Sequence, residues 1–131
     1  MSDALITTAG RHDVATTVGL LTAAIRRRAL TLFATIDHAA GAREAGLDLP
    51  DEVVVIFGNP AGGTPVMQVD PRAGIDLPLR ILVWSQDGRT QLAFRDPQSL
   101  ADNFTLNEQT AVLTNLRGVL DQLVAEVART R

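Results

Sequence analysis

Asp37-His38 sets a carboxylate beside an imidazole. Those two groups suit general acid–base work, because a carboxylate can orient the ring and raise its pKa from about 6.5. The pair lies where an alternating apolar stretch gives way to a helical one, a usual address for site residues. Neighbouring residues on a strand point to opposite faces, so the two groups need not touch. The plainer reading has Asp37 capping the next helix and His38 half-exposed beside it.

Gly58-Asn59-Pro60-Ala61-Gly62-Gly63-Thr64 follows an apolar stretch and precedes a helix start, which outwardly matches a phosphate-binding loop. A P-loop needs Lys after its second Gly to reach the phosphates, and here Gly63 is followed by Thr64. Nucleotide hydrolysis is therefore not expected. A lesser expectation survives: free N–H groups at a helix opened by Thr64 could hold a carboxylate or phosphate. Against it stands a tight turn that uses glycine for its dihedral angles.

Other polar residues are weaker candidates. Asp70 and Asp76 bracket a Pro- and Gly-containing turn, but a hard cation wants more oxygen ligands than this, so turn capping fits better. A zinc site would need His38 and His12 joined by a distant carboxylate, and His12 reads as a surface residue. Ser85 lacks a nucleophile-elbow context. Arg80 and Trp84 alternate with Leu79, Ile81 and Val83, so they share the opposite sheet face and are expected to meet a partner or a ligand.

The elements that position these residues follow from hydrophobic period. Leu5–Ala9 reads as a strand. Asp13 is an N-cap for a helix to about Arg28, with Val14, Val18, Leu21 and Ile25 on one face. From Ala29 to Asp37 the period becomes two, with Leu30, Leu32, Ala34 and Ile36 on one side. A short helix over Ala39–Ala45 stops at Gly46. Val53–Phe57 is uninterrupted and apolar, which predicts a central strand buried on both faces. Thr64-Pro65 predicts a brief helix with Thr64 as cap and Pro65 at its first position. Leu79–Trp84, the turn Asp87-Gly88 and Thr90–Phe94 make a hairpin. Thr105-x-x-Glu108 is a capping box, with Asn107 competing for the cap, before a last helix reaching about Ala128. The order β-α-β-β-β-β-α, with two small helices around the third strand, predicts an α+β fold: a curved antiparallel sheet with helices mainly on one face.

Composition bounds the rest. At 131 residues, 46% apolar and 21% charged, the chain suits one globular domain. A net charge of −3 argues against a broad nucleic-acid footprint. Cysteine is absent, which removes disulfides, thiolate metal sites and cysteine nucleophiles and fits a cytoplasmic location. The start carries no signal-peptide pattern, and no apolar stretch is long enough to span a bilayer. Neither a cofactor nor a metal is expected.

The blocks Phe33-Ala34-Thr35-Ile36-Asp37-His38-Ala39-Ala40-Gly41-Ala42, Ile56-Phe57-Gly58-Asn59-Pro60 and Gly63-Thr64-Pro65-Val66-Met67-Gln68 resemble the domain-of-unknown-function 302 family. Asp76-Leu77-Pro78-Leu79-Arg80 and Val83-Trp84 continue the resemblance over nearly the whole chain. It implies a TATA-binding-protein-like fold, β-α-β(4)-α, and a homodimer; it implies no reaction, substrate or cofactor. Many members look like Trp-Glu where this chain has Trp84-Ser85, and Tyr-Asn-Asp-Pro where it has Phe94-Arg95-Asp96-Pro97. Any chemistry that used that Glu or that Tyr hydroxyl would be missing here. Ala29 also replaces a usual Gly after the first helix, at a small cost to that turn.

Three functions remain open at this point. The first is a homodimeric binding module for a small anionic or polar ligand, its pocket formed where Asp37, His38, Asn59, Gly63 and Thr64 converge, with Arg80 and Trp84 as further contacts. The second is an enzyme using His38 as general acid or base, oriented by Asp37. The third is a structural dimer in which these blocks serve turns and packing.

Overall fold

The computed structural model describes residues 5–106 and 109–131. Strands β1 (Leu5–Ala9), β2 (Thr31–Asp37), β3 (Glu52–Gly58), β4 (Leu79–Gln86) and β5 (Arg89–Arg95) form one antiparallel sheet in the order β1-β5-β4-β3-β2. Helices α1 (Val14–Arg27), α2 (His38–Glu44), α3 (Pro60–Val69), α4 (Leu100–Asn103) and α5 (Thr110–Arg129) are joined by 3-10 turns at Pro71–Ile75 and Pro97–Ser99. This is the α+β arrangement that the hydrophobic periods predict.

Local chemistry sets the element ends. The Asp13 carboxylate accepts from the Thr16 N–H at 2.8 Å, which starts α1 and holds the carboxyl below its usual range. Asp87 (φ 52°) and Gly88 (φ 78°) both occupy the left-handed region, as a two-residue turn of the primed type requires. Ala29 (φ 56°) takes that conformation after α1 without being glycine, so the cost expected of this turn is carried there.

One sheet face is the core. Val53, Val55 and Phe57 of β3, Ile81 and Val83 of β4, and Leu92 and Phe94 of β5 meet Leu21, Ala24 and Ile25 of α1 and Leu120, Leu123 and Val127 of α5. Removing such side chains from water stabilises by about 1.5–3 kcal/mol each. The two helices are also clasped by polar groups. Arg27 and Arg28 both pair with Glu126, and the hydrogen bond from Arg28 at 2.8 Å, helped by the positive charge of both arginines, lowers the Glu126 pKa. His12 donates from Nε2 to the Thr130 carbonyl at 2.8 Å, so it tethers α5 and is not the free surface residue its position suggests.

Two strand expectations need correction. β3 is interior to the sheet but buried on one face only: Val53, Val55 and Phe57 are enclosed, while Val54 and Ile56 are half-buried on the side without α1 and α5. Its unbroken apolar run serves two different surfaces. In β2 the pairing runs Leu32↔Phe57 and then Ala34↔Ile56, so Phe33 is the extra residue of a β-bulge. The bulge switches the rows, putting Leu32 and Thr35 toward the helices and Ala34 and Ile36 on the open face, where Ile36 is 44% exposed. Simple alternation places all four apolar residues together because it has no signal for an inserted residue.

A second cluster (Val66, Ala73, Leu100, Leu106, Leu113 and Leu116) packs α3 and its following turn against the front of α5. Asp70 ties this region together. Its carboxylate receives Arg72 Nε at 3.0 Å and Nη2 at 2.8 Å, and the Thr105 N–H at 3.1 Å. The turn-capping role expected of this stretch is seen for Asp70, which also accepts from the Arg72 N–H at 3.1 Å, while its link to Thr105 is an addition the sequence does not signal. The proposed Thr105-x-x-Glu108 box lies partly outside the described residues.

The Arg72 guanidinium holds Asp70 well below the usual carboxylate range. A depressed folded-state pKa contributes stability that is present above the unfolded value, about 4, and is lost as pH falls further. Asp70→Asn is therefore expected to lower the melting temperature at pH 7, with the gap to wild type closing as the pH is lowered toward about 2. Thermal melts across that pH series check it; a gap constant with pH would contradict the assignment.

Candidate functional site

Asp37 and the Gly58–Thr64 segment do not converge. β2 and β3 are antiparallel, with Asp37 opposite Val53 and Thr31 opposite Gly58. The two blocks therefore lie at opposite ends of β3, roughly 17 Å apart along the strand. A shared pocket built from Asp37, His38, Asn59, Gly63 and Thr64 is ruled out by this register. At its own end, Asp37 is the N-cap of α2, its carboxylate accepting from the Ala40 N–H at 2.9 Å. That geometry is the capping role, and His38 is exposed on the first position of the helix.

The segment after β3 is also not a loop. α3 begins at Pro60, five residues before the predicted first position Pro65, with Asn59 as its cap. Asn59 Oδ1 accepts from the Ala61 N–H at 2.9 Å, and the Asn59 carbonyl accepts from Gly62 (2.8 Å) and Gly63 (3.1 Å). Pro60 has no N–H to offer. The donors expected to hold an anion are thus engaged within the chain, and Thr64 sits inside the helix. Asn59-Pro60 and Thr64-Pro65 carry the same cap-then-proline pattern; the one adjoining the strand end prevails, and Pro65 forgoes one helical hydrogen bond.

What this end of the sheet does form is a pair of adjoining cavities. The first, about 290 Å³, is lined mainly by apolar groups: Phe33, Met67, Leu77, Pro78, Leu79 and Leu116, with Asn59, Gly63 and Thr64 along its α3 side. The bulge delivers Phe33 here. A Cβ on Gly58 would come within 3.4 Å of Pro78 and 3.6 Å of Phe33, ordinary contact distances, so those two rings lie directly over the strand end. The second cavity, about 260 Å³, shares the Leu77-Pro78-Leu79 segment and is lined by Asp76, Arg80, Arg95, Asp96 and Ser99 among apolar neighbours.

Charges around the second cavity are arranged by α5. Arg117 donates to Asp96 at 2.7 Å and to Asp121 at 3.1 Å, and its guanidinium carbon lies 5.7 Å from the centre of the Phe94 ring. The hydrogen bond to Asp121, more than the pairing with Asp96, raises the Arg117 pKa. Asp96 also accepts from the Gln98 N–H at 3.0 Å, so its carboxylate is held by two donors. Trp84 is elsewhere: it stands on the open sheet face and donates from Nε1 to Gln86 at 3.1 Å. Of the residues singled out in the sequence, Asn59, Gly63 and Thr64 line the first cavity and Arg80 the second, while Asp37, His38 and Trp84 line neither. Phe33, Met67, Leu77 and Leu116 read in sequence only as core or strand residues. Among the described residues no group of three or more His, Asp or Glu is placed to hold a metal ion.

A family model described as domain of unknown function DUF302 matches residues 6–123. The chain is similar to a fluoride-specific ion channel, FluC 1, of Brucella suis biovar 1 (strain 1330), at 42% identity over 103 residues, 78% of this chain and 41% of that protein. FluC 1 of Brucella abortus biovar 1 (strain 9-941) matches at 42% over 78% of this chain and 38% of that protein. The chain thus spans about two fifths of the length of these relatives, and among its described residues no helix is long and apolar enough to cross a membrane. The crystal structure of an uncharacterised conserved DUF302 protein from Bacillus stearothermophilus superposes with a TM-score of 0.74 at 17% identity, covering 95% of this chain and 94% of that one. That likeness establishes the fold.

If Asp37 acts as a helix cap, Asp37→Ala is expected to cost about 1 kcal/mol and Asp37→Asn to be nearly neutral, since asparagine caps equally well. Urea denaturation measures both. A large loss in Asp37→Asn would require a role for the charge that capping does not supply.

Proposed function

The chain belongs to the DUF302 family, and on that premise we propose that it is a non-catalytic binding module for a small, largely apolar ligand. The observation that carries this reading is the cavity of about 290 Å³ bounded by Phe33, Met67, Leu77, Pro78, Leu79 and Leu116. Its mix of apolar walls and a few polar groups on one side is the usual make-up of a small-molecule site. Asn59 and Thr64 keep the place on the ligand expected of them, as polar edge contacts, and Asp37 and His38 leave the site. The acid–base alternative loses its motive, because the Asp37 carboxylate is spent on the Ala40 N–H. The relatives' name supports a further element: the module works beside an anion-conducting protein, since the relatives it matches over about two fifths of their length are named fluoride-specific ion channels.

Gly63 offers a test that spares the fold. Its Cβ would meet only Leu77 at 3.8 Å and Met67 at 3.9 Å, ordinary contact distances. Gly63→Ala is expected to stabilise by about 0.5–1 kcal/mol through helix propensity. Gly63→Leu is expected to fill the cavity and abolish the thermal shift given by small apolar and amphipathic compounds. Retention of those shifts in a folded Gly63→Leu protein would remove the cavity from the function.

A homodimer is the second part of the reading, supported by the open sheet face. Cross-strand neighbours Ile36, Val54, Leu82 and Ala93 make an apolar row there, with Arg80 toward one end of the strands and Glu52 toward the other. A two-fold axis in the plane of the face, perpendicular to the strands, would set Arg80 of each copy against Glu52 of its mate. Ile36→Lys, on an exposed edge-strand position, is expected to convert a micromolar dimer to a monomer without lowering the melting temperature by more than a few degrees. Sedimentation equilibrium decides; a wild-type monomer at that concentration would count against the dimer.

A further inference from the structure

The wall of the first cavity contains no ionisable side chain. Apolar groups and backbone make up most of it, and Asn59 and Thr64 are its only side chains with N–H or O–H groups. A carboxylate or an ammonium buried against such a wall has no partner for its charge, a cost that apolar contact does not offset. Around Asn59 most of the hydrogen-bonding capacity is used within the chain. Its Oδ1 accepts from the Ala61 N–H at 2.9 Å, and its carbonyl accepts from Gly62 and Gly63. A backbone N–H can be met only by the amide oxygen, so the same bond fixes which arm of the side chain carries the NH2 group. Among the described residues that NH2 has no hydrogen-bond partner, and neither has the Thr64 hydroxyl. The cavity thus presents donors without a counter-charge, and a donor that gives up its water needs an acceptor in return.

We infer that the ligand is electrically neutral and carries a hydrogen-bond-accepting oxygen, the make-up of a ketone, ester or ether: its apolar body fills the space between Phe33, Met67 and Leu116, and its oxygen takes the Asn59 NH2. The inference rests on the ligand-binding reading of this cavity and names the chemical class that the site selects. Asn59 determines specificity because the cap of α3 holds its amide in one orientation before any ligand arrives. An acid is refused for its charge, and a hydrocarbon binds less tightly because it leaves the NH2 dehydrated and unpaired. Arg80 takes no part: it lines the charged cavity and not this one.

Isothermal titration of the full chain with acetophenone, ethylbenzene and benzoate tests this, using wild type, Asn59→Asp and Gly63→Leu. The three compounds share an aromatic body and differ in carrying a neutral acceptor, no acceptor or a charge. Acetophenone is expected to bind wild type roughly three- to tenfold more tightly than ethylbenzene, the effect of one neutral hydrogen bond, and benzoate is expected not to bind. Aspartate caps a helix as well as asparagine, so Asn59→Asp keeps the start of α3 and removes only the NH2. The ratio of the two neutral compounds' affinities in that variant should fall to about one, and Gly63→Leu should remove both. Acetophenone binding wild type no better than ethylbenzene, a preference that survives Asn59→Asp, or benzoate binding as well as acetophenone overturns the neutral-acceptor assignment and leaves the apolar cavity standing. Binding of none of the three, or binding untouched by Gly63→Leu, overturns the cavity reading itself.

Discussion

Everything in this fold follows from covering one side of a five-stranded sheet with two helices. α1 and α5 together bury Val55, Phe57, Ile81, Val83 and Leu92 completely, and the Arg27–Arg28–Glu126 cluster pins the helices to one another over that face. The pins are partly exposed and contribute little individually; the apolar layer beneath supplies the stability. Because both long helices are used on one face, the opposite face retains its own apolar row. The ends of the sheet are left to shorter elements, and the cavities form at one of those ends.

Local features were legible in sequence because their causes are local. The Asp87-Gly88 turn is dictated by two left-handed residues in succession, and α1 by a cap and a regular stripe. The Leu79–Ile81–Val83 row was readable by alternation, and with it the outward placement of Arg80 and Trp84. Failure came where a choice depends on distant parts of the chain. Two cap-then-proline patterns compete at the start of α3, and nothing near either one decides between them. The bulge at Phe33 is invisible to alternation, since it is selected by how β2 must pair with β3. The supposed pocket failed for a related reason: sequence shows which residues end elements, while strand register decides at which end of the sheet they lie.

The same register explains why the family's blocks divide as they do. The Asp37-His38 block closes β2 into α2, and the Gly58–Thr64 block closes β3 into α3. Each holds a residue, Asp37 in one and Asn59 in the other, whose side chain accepts a backbone N–H, so the polar residues that stand out in sequence are largely occupied with starting helices. The more open chemistry lies largely with residues that do not stand out, a bulged Phe33 and Pro78, next to Arg80, whose outward placement alternation does predict. Site searches that begin from conspicuous histidines and glycines are drawn to the caps in a fold of this kind.

The bulge in β2 has one more consequence. β2 is an edge strand whose outer backbone groups have no neighbour in the sheet, the surface on which chains add to one another end on end into fibres. An inserted residue in mid-strand breaks the even spacing that an incoming strand would need, and it does so next to the exposed Phe33 and Ile36 that would otherwise reward such pairing. This margin is therefore a poor template for open-ended growth, so the feature that shapes one wall of the cavity also protects the β2 edge from amyloid-like stacking.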